Sequence, residues 1–535
     1  MRAIPIGQRV RTSLAAGTAA AAVLAATAAC TSATATQGAS PGPGHGTALV
    51  VTTADGAVRG KAVAAADEYL GIPYAAPPVG ALRWQPPQPP APWHGIRAAA
   101  SYAPHCPQLS SAFGLASTSE DCLYLNVFTP GGARAHALLP VMVWVHGGSL
   151  RTGESDDYDP AGLVRQGAVV VTINYRIGAL GFLADAAVAS RPGGPSGDYG
   201  LMDQQAALRW VQRDILYFGG NPGDVTLSGE EAGGLSTLAQ LASPGARGLF
   251  QRAIAESGTY DLTQQPLAAA ESAGKAFAAK AGCASNTASC LRSLPVSTIL
   301  TSQNPVSYTP DTDGAVLTQS ITTALASGQF NHVPVIIGTN HDEYRLFIAI
   351  FRLIGAPVTA ANYQAMIAST LSVPAPVATA IAAQYPLSRY PSPPVALGAV
   401  ATDAIFACNA LTAEESLSRY VPTYAYEFND ENAPEVFFPP VDFPYGAALA
   451  SELQYVFDLA TAPHSASLSA AQRQLAAAIK QDWATMARAG SPAPGWPRFS
   501  RAGQQALSLV PPRPQVETGF AAEHQCAFWA LGASS

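Results

Sequence analysis

Unbroken apolar runs, more than alternating ones, mark the strands of this chain. Val141-Met-Val-Trp-Val145, Ala168 to Asn174, Val225 to Leu227, Ala253 to Ala255, Val333 to Gly338 and Tyr424 to Phe428 are short runs of this kind. A strand that is apolar at successive positions has both faces covered, which points to a parallel sheet between helices. Asp203 to Ile215 carries apolar residues at roughly 3.6-residue spacing and reads as a helix, leading through Gly219-Gly-Asn-Pro222 into the strand at Val225. Leu49 to Arg59 reads as paired edge strands. The stretch Tyr69 to Trp84, with the proline-rich run on to Trp93, reads as an ordered surface loop, because proline donates no ladder hydrogen bond. Residues 262–330 and 345–420 are helical and less regular, and are expected as insertions over the strand ends, where such folds build pockets. Strands alternating with helices predict an α/β fold with a large, mostly parallel sheet covered by helices on both faces. There is no internal repeat and no clean domain boundary after residue 47.

Composition narrows the partners. Only 12% of residues are charged, the formal net charge is −7, and no basic run stands out, so nucleic acid is not an expected partner. At the N-terminus, Arg2, Arg9 and Arg11 precede an apolar, small-residue run from Ser13 to Ala29, the layout of a secretory signal over residues 1–30. Thr27-Ala-Ala-Cys30 is similar to a lipoprotein cleavage box. Membrane attachment through a lipid anchor at Cys30 and ordinary signal cleavage both stay open. Residues 31–47, rich in Ser, Thr, Gly and Pro, read as a flexible linker, and 48–535 as one catalytic-type domain, secreted or attached to the cell envelope. Of seven cysteines, Cys30 is the odd one; the other six would form three disulfides in an exported chain, with 15 pairings open. None makes a CxxC pair with a histidine partner, so no zinc site is expected.

The chemistry centres on Val225-Thr-Leu-Ser-Gly-Glu-Glu-Ala-Gly-Gly-Leu-Ser236. An apolar strand runs into a helix from Ala232, and Gly229-Glu230-Glu231-Ala232-Gly233 has the glycine frame of a nucleophile elbow, G-x-S-x-G. The frame strains its central residue and lifts that side chain above the sheet. In an active hydrolase the central residue is serine; here it is Glu231.

The chain resembles the type-B carboxylesterase family of the α/β-hydrolase fold over roughly residues 48–532. The resemblance rests on Tyr69 to Trp84, Glu120-Asp-Cys-Leu-Tyr-Leu-Asn126, His146-Gly-Gly148, Asp203-Gln-Gln-Ala-Ala-Leu-Arg-Trp210, Phe218-Gly-Gly-Asn221, the elbow, Gly338 to Glu343, Ser451-Glu-Leu-Gln-Tyr-Val-Phe457 and Cys526-Ala-Phe-Trp529. It implies disulfides Cys106–Cys122, Cys283–Cys290 and Cys408–Cys526; by chain entropy the first would stabilise by about 3 kcal/mol and the last by roughly 4–5. It implies an oxyanion hole from the N–H groups of Gly147, Gly148 and Ala232. It places the triad acid at Glu343, with Asp342 the rival, and a buried polar pair, Ser257 and Asp403, around it.

The family pattern His-x-x-Glu-Leu puts the general base at Leu449, which can neither accept nor donate a proton. His341, His464 and His524 read as ordinary polar residues, and Ser228 and Ser236 flank the elbow without occupying its tip. The resemblance therefore implies a Ser-His-Glu esterase framework, without metal or organic cofactor, whose nucleophile and base positions are substituted. A small-molecule ester or acyl ligand fits that framework, and no protein partner is indicated. Three readings follow: an esterase fold without turnover, a ligand- or protein-binding module, and a hydrolase that attacks with Glu231 as some α/β-hydrolases do with aspartate. Glu231 is also expected to turn its carboxylate towards the oxyanion donors.

Overall fold

A computed structural model describes residues 49–532 except 65, 190–193, 195, 286, 305–307, 460 and 465. The readings for residues 1–30, 31–47 and Cys30 lie outside the described residues. The main sheet has eleven strands: β1 (Lys61–Ala62), β2 (Ala66–Pro73), β3 (Tyr124–Pro130), β4 (Leu139–Val145), β5 (Val169–Ile173), β6 (Gly220–Glu230), β7 (Arg252–Glu256), β8 (Val335–Asn340), β9 (Thr423–Phe428), β10 (Ala506–Leu509) and β11 (Gln515–Glu517). Their spatial order is β11-β10-β9-β8-β7-β6-β4-β5-β3-β2-β1. The run from β10 to β5 is parallel throughout. Antiparallel pairs occupy the two ends. This is a large, mostly parallel sheet flanked by helices, consistent with an α/β-hydrolase fold.

The unbroken apolar runs are explained by where alternate residues go. In β4, Val141, Val143 and Val145 join a core with Leu235 and Leu238. Met142 and Trp144 join the opposite core with Ile479 and Trp483. The helix Ala232–Ala242 thus covers one face and Ala470–Ala489 the other. The second of these starts at a capping box, Ser469 with Gln472, and stops at Gly490 in the left-handed region, so both of its ends are satisfied locally. The helical run Pro393–Leu417 is long and apolar enough to cross a membrane, but it is mostly buried in the core.

Local signals misplaced one stretch. The residues read as surface loop from Tyr69 begin inside β2, which pairs antiparallel with β3 through an irregularity between Tyr69 and Ile72. Pro73 ends that strand, so its missing N–H costs the ladder nothing further. Beyond it the chain does loop, yet Trp84 is fully buried with Nε1 donating to the Ala179 carbonyl at 2.8 Å. Proline density reported on the backbone and could not report where the tryptophan was buried. The elbow strand also starts earlier than its apolar run, at Gly220, and the preceding helix runs Tyr199–Asp214.

Among the described residues three disulfides are formed: Cys106–Cys122, Cys283–Cys290 and Cys408–Cys526, with Cα separations of 5.0, 5.7 and 5.2 Å.

Candidate active site

Glu231 lies between the end of β6 and the start of the helix Ala232–Ala242, with φ 50° and ψ −110°. A non-glycine residue in that region is strained and persists only where its surroundings hold it. Here the Glu231 N–H donates to the Glu256 carbonyl at 2.9 Å, and its own carbonyl accepts from Leu235 at 2.8 Å. The flanking glycines permit the turn by contact: a Cβ on Gly233 would lie 1.9 Å from the Val145 carbonyl oxygen, and one on Gly229 2.5 Å from the Gly233 backbone. The steric reason for the G-x-x-x-G frame is therefore met whatever residue sits at its centre.

The Glu231 side chain turns towards the loop after β4. Its Oε2 accepts the Gly148 N–H at 2.8 Å and the Ser149 N–H at 2.7 Å, and the Ser149 hydroxyl approaches Oε1 at 3.4 Å. Tyr260 is close enough to the same carboxylate for Glu231 to act on its hydroxyl. Of the three nitrogens expected to form the hole, only that of Gly148 meets it; Gly147 and Ala232 are not among its donors in the described residues. Ser149 takes the second place, and nothing in the sequence beyond its position after Gly147-Gly148 signals it. Gly147 instead packs against Glu230, whose Oε2 would lie 2.7 Å from an added Cβ.

Glu343 follows β8 and is fully buried. Its Oε1 accepts from the Thr339 hydroxyl at 2.6 Å and the Asn340 N–H at 2.8 Å. Ser257 is close enough to act on the carboxyl, yet neither its hydroxyl nor Glu343 Oε2 completes a hydrogen bond. Leu449 stands beside the acid, its N–H donating to the Glu343 carbonyl at 3.3 Å, and its buried side chain joins the apolar cluster of Leu346 and Phe443. Asp342, the rival acid, is held by Arg345 at 2.8 Å, by His341 at 3.0 Å and by the Ala447 N–H at 3.0 Å. Asp403 lies elsewhere, bonded to the Tyr385 hydroxyl and to His524, both at 2.7 Å. Ser228 donates to the Val143 carbonyl and Ser236 accepts from Gln204, so both are structural. His464 is exposed.

Three further carboxylates converge here that sequence reasoning did not assign to the site: Glu230, Glu256 and Glu452. Glu230 and Glu256 are register partners at the ends of adjacent parallel strands, a placement that a β6–β7 pairing would have exposed. Burial, then Glu452, pushes Glu256 up to about 8. The same two causes push Glu343 up to about 8, and burial raises Glu452 to about 7. Burial, then Glu452 and Glu231, holds Glu230 well above the ordinary carboxylate range. Each carboxyl resists ionising because it is buried and, among the described residues, no buried cation faces it.

A cavity of about 520 Å³ opens above the elbow, lined by Glu230, Glu231, Ser149 and Leu449 and walled by Phe113, Phe347 and Phe437 among others. Glu154, part of that lining, bonds His105 (2.9 Å), which also bonds Asp156 (3.0 Å); those two hydrogen bonds raise His105 to about 10, so it is a fixed cation and not a base. His105, Glu154 and Asp156, and separately His341, Glu427 and His524, bring ligand-type atoms within 4.8 Å of one another. In the first group His105 bonds both acids, and in the second His524 Nε2 bonds Glu427 while His341 bonds Asp342 and Glu523.

The family description matching residues 47–529 is the carboxylesterase family. The para-nitrobenzyl esterase of Bacillus subtilis is 34% identical over 86% of this chain and 95% of its own length. The fumonisin B1 esterase of Sphingopyxis macrogoltabida is 35% identical over 85% of each chain. The human cocaine esterase is 32% identical over 89% of this chain and 90% of its own length. With the elbow turn, the large mostly parallel sheet and matches of this extent, the chain belongs to the carboxylesterase family.

Proposed function

We propose that this chain is an exported carboxylesterase-fold protein that keeps its pocket as a small-molecule site and does not turn esters over. The observation that carries the reading is the Glu231 carboxylate at the elbow tip, bonded through Oε2 to the Gly148 and Ser149 N–H groups. A carboxylate in that position fills donors suited to an ester's developing oxyanion. The second support is Leu449 beside Glu343, in the place the family pattern gives to a general base. Removing a nucleophile or base from such a triad costs on the order of 10⁶ in kcat. Three disulfides suit an oxidising compartment, in keeping with the signal-like N-terminus.

The test is hydrolysis of p-nitrophenyl esters by the full chain beside its Glu231→Ser, Leu449→His double variant. The expected result is background release by the first and turnover at least about 10³-fold higher by the second. Turnover by the unsubstituted chain that Glu231→Gln abolishes would replace this reading with attack by the carboxylate. A folded double variant without turnover would sink the assignment of residues 231, 343 and 449 to one triad.

A further inference from the structure

Away from the cavity, three segments distant in sequence bring two histidines and a glutamate to one place. His341 follows the end of β8, Glu427 lies in β9, and His524 follows the short helix Phe520–Glu523. One ligand atom from each lies within 4.8 Å of the others. β8 and β9 pair in parallel, and the His341 N–H donates to the Phe428 carbonyl at 3.1 Å, which sets His341 beside Glu427. The two rings are arranged in the same sense. Nδ1 of His341 faces Asp342 at 3.0 Å, and Nδ1 of His524 faces Asp403 at 2.7 Å. Nε2 of His524 faces Glu427 at 2.5 Å, and Nε2 of His341 faces Glu523 at 3.1 Å. Each ring therefore has one carboxylate behind it and another in front. The acids behind are themselves fixed, Asp342 by Arg345 and the Ala447 N–H, Asp403 by the Tyr385 hydroxyl.

We infer that this cluster is a zinc site, with Nε2 of His341, Nε2 of His524 and the Glu427 carboxylate as ligands and Glu523 as the fourth. Two imidazoles with carboxylate oxygens are a set that zinc takes, and a carboxylate on the far nitrogen of each ligating histidine is what orients such rings. Zinc bonds of about 2.0–2.2 Å place tetrahedral ligand atoms roughly 3.3–3.5 Å apart, so side-chain movements of about 1 Å complete the set. His341 and Glu523 reach solvent while Glu427 and His524 are buried, which gives the ion a way in and a dry far side. Asp342, Asp403, Glu427 and Glu523 outnumber Arg345 and two protonated rings, so the cluster keeps an excess of negative charge. Exchanging two ring protons for one dication leaves that charge as it was, so the field that holds the protons holds the metal equally. Calcium and magnesium favour oxygen ligands throughout, and two imidazoles select against them. The ion would tie the C-terminal segment to the ends of β8 and β9, two residues before Glu343. No cysteine or histidine spacing signals the site, since only Glu523 and His524 are close in sequence. It is independent of whether the elbow attacks.

The experiment is isothermal titration calorimetry of the full chain, stripped with EDTA and dialysed, with zinc, calcium and magnesium chlorides at pH 7, and visible spectra with cobalt in place of zinc. Zinc should bind at this site at one ion per chain, at least about 100-fold more tightly than calcium or magnesium. Cobalt should show the absorption of a four-coordinate ion. His341→Ala should weaken zinc by at least about 100-fold and Asp342→Asn by about tenfold, while His105→Gln leaves it unchanged. Thermal melts establish that each variant is folded; should His341→Ala fail to fold, Glu523→Gln and the metal series on the unsubstituted chain decide. No zinc binding, calcium or magnesium bound as tightly, a folded His341→Ala that binds zinc as before, or zinc lost in His105→Gln would overturn the inference.

Discussion

Two buried acidic clusters in this chain differ in a single ingredient. Beneath the elbow, Glu230, Glu256, Glu343 and Glu452 crowd together with no buried cation against them among the described residues, and Leu449 stands beside Glu343. Towards the C-terminus, His524 is clamped between Asp403 at 2.7 Å and Glu427 at 2.5 Å, with the His341 ring 5.5 Å away and itself bonded to Asp342 and Glu523. Cys408–Cys526 ties down the segment carrying that histidine. The consequence is electrostatic. Without a cation, burial drives the carboxyls of the first cluster towards their neutral forms. In the second, burial alone would lower His524, but Glu427 and Asp403 outweigh it and raise the imidazole to about 10. Asp403 is still raised by burial, with His524 and Tyr385 opposing the rise, so a neighbouring histidine moves a buried carboxyl towards half of an ion pair without cancelling the cost of burial.

Removing His524 should break the second cluster into a copy of the first, and it carries the largest effect. His524→Ala leaves Asp403 and Glu427 buried without their cation, and a loss of about 3–5 kcal/mol in urea denaturation at pH 6 is expected. His524 is raised from 6.5 to about 10, so its contribution is fully present below pH 6.5 and fades as pH rises through 10. The deficit of the variant should therefore shrink in alkali; a deficit independent of pH would mean that packing, not charge, holds the C-terminal helix.

Glu343→Gln sharpens the comparison from the other side. Glu343 titrates near 8 when folded against 4.5 as a free side chain, so across that interval the unfolded chain releases its proton first and the folded state loses stability as pH rises. The glutamine variant lacks this decline. It should match the unsubstituted chain at pH 4 and exceed it by a few kcal/mol at pH 9, measured by thermal or urea unfolding. Equal stability curves at both pH values would show that Glu343 is ionised in the native protein at neutral pH.

The smallest effect belongs to Ser149→Ala. Its hydroxyl approaches Glu231 only at 3.4 Å, while the backbone N–H that makes the 2.7 Å bond survives the substitution. Stability should change by less than about 0.5 kcal/mol. A larger loss would mean that the hydroxyl, and not the backbone, holds the Glu231 carboxylate in place.

Much of this molecule is legible without coordinates because strand and turn sterics are local. The apolar runs place the central strands, since a buried strand must be apolar on both sides of its own backbone. The glycines at 229 and 233 locate the elbow, since only they fit against Val145 and each other. Glu231 at the centre of that glycine frame and Leu449 three residues before Glu452 are visible as letters. What the letters could not decide is which groups meet. Glu230 and Glu256 are neighbours only because β6 and β7 pair in that register, His524 and Glu427 only because the C-terminal segment returns to the end of β9, and Ser149 donates only because its loop bends at φ 55°. Local sequence sets what each backbone segment can be; the long-range pairing of segments sets which buried charges find a partner, and that pairing has no local signature.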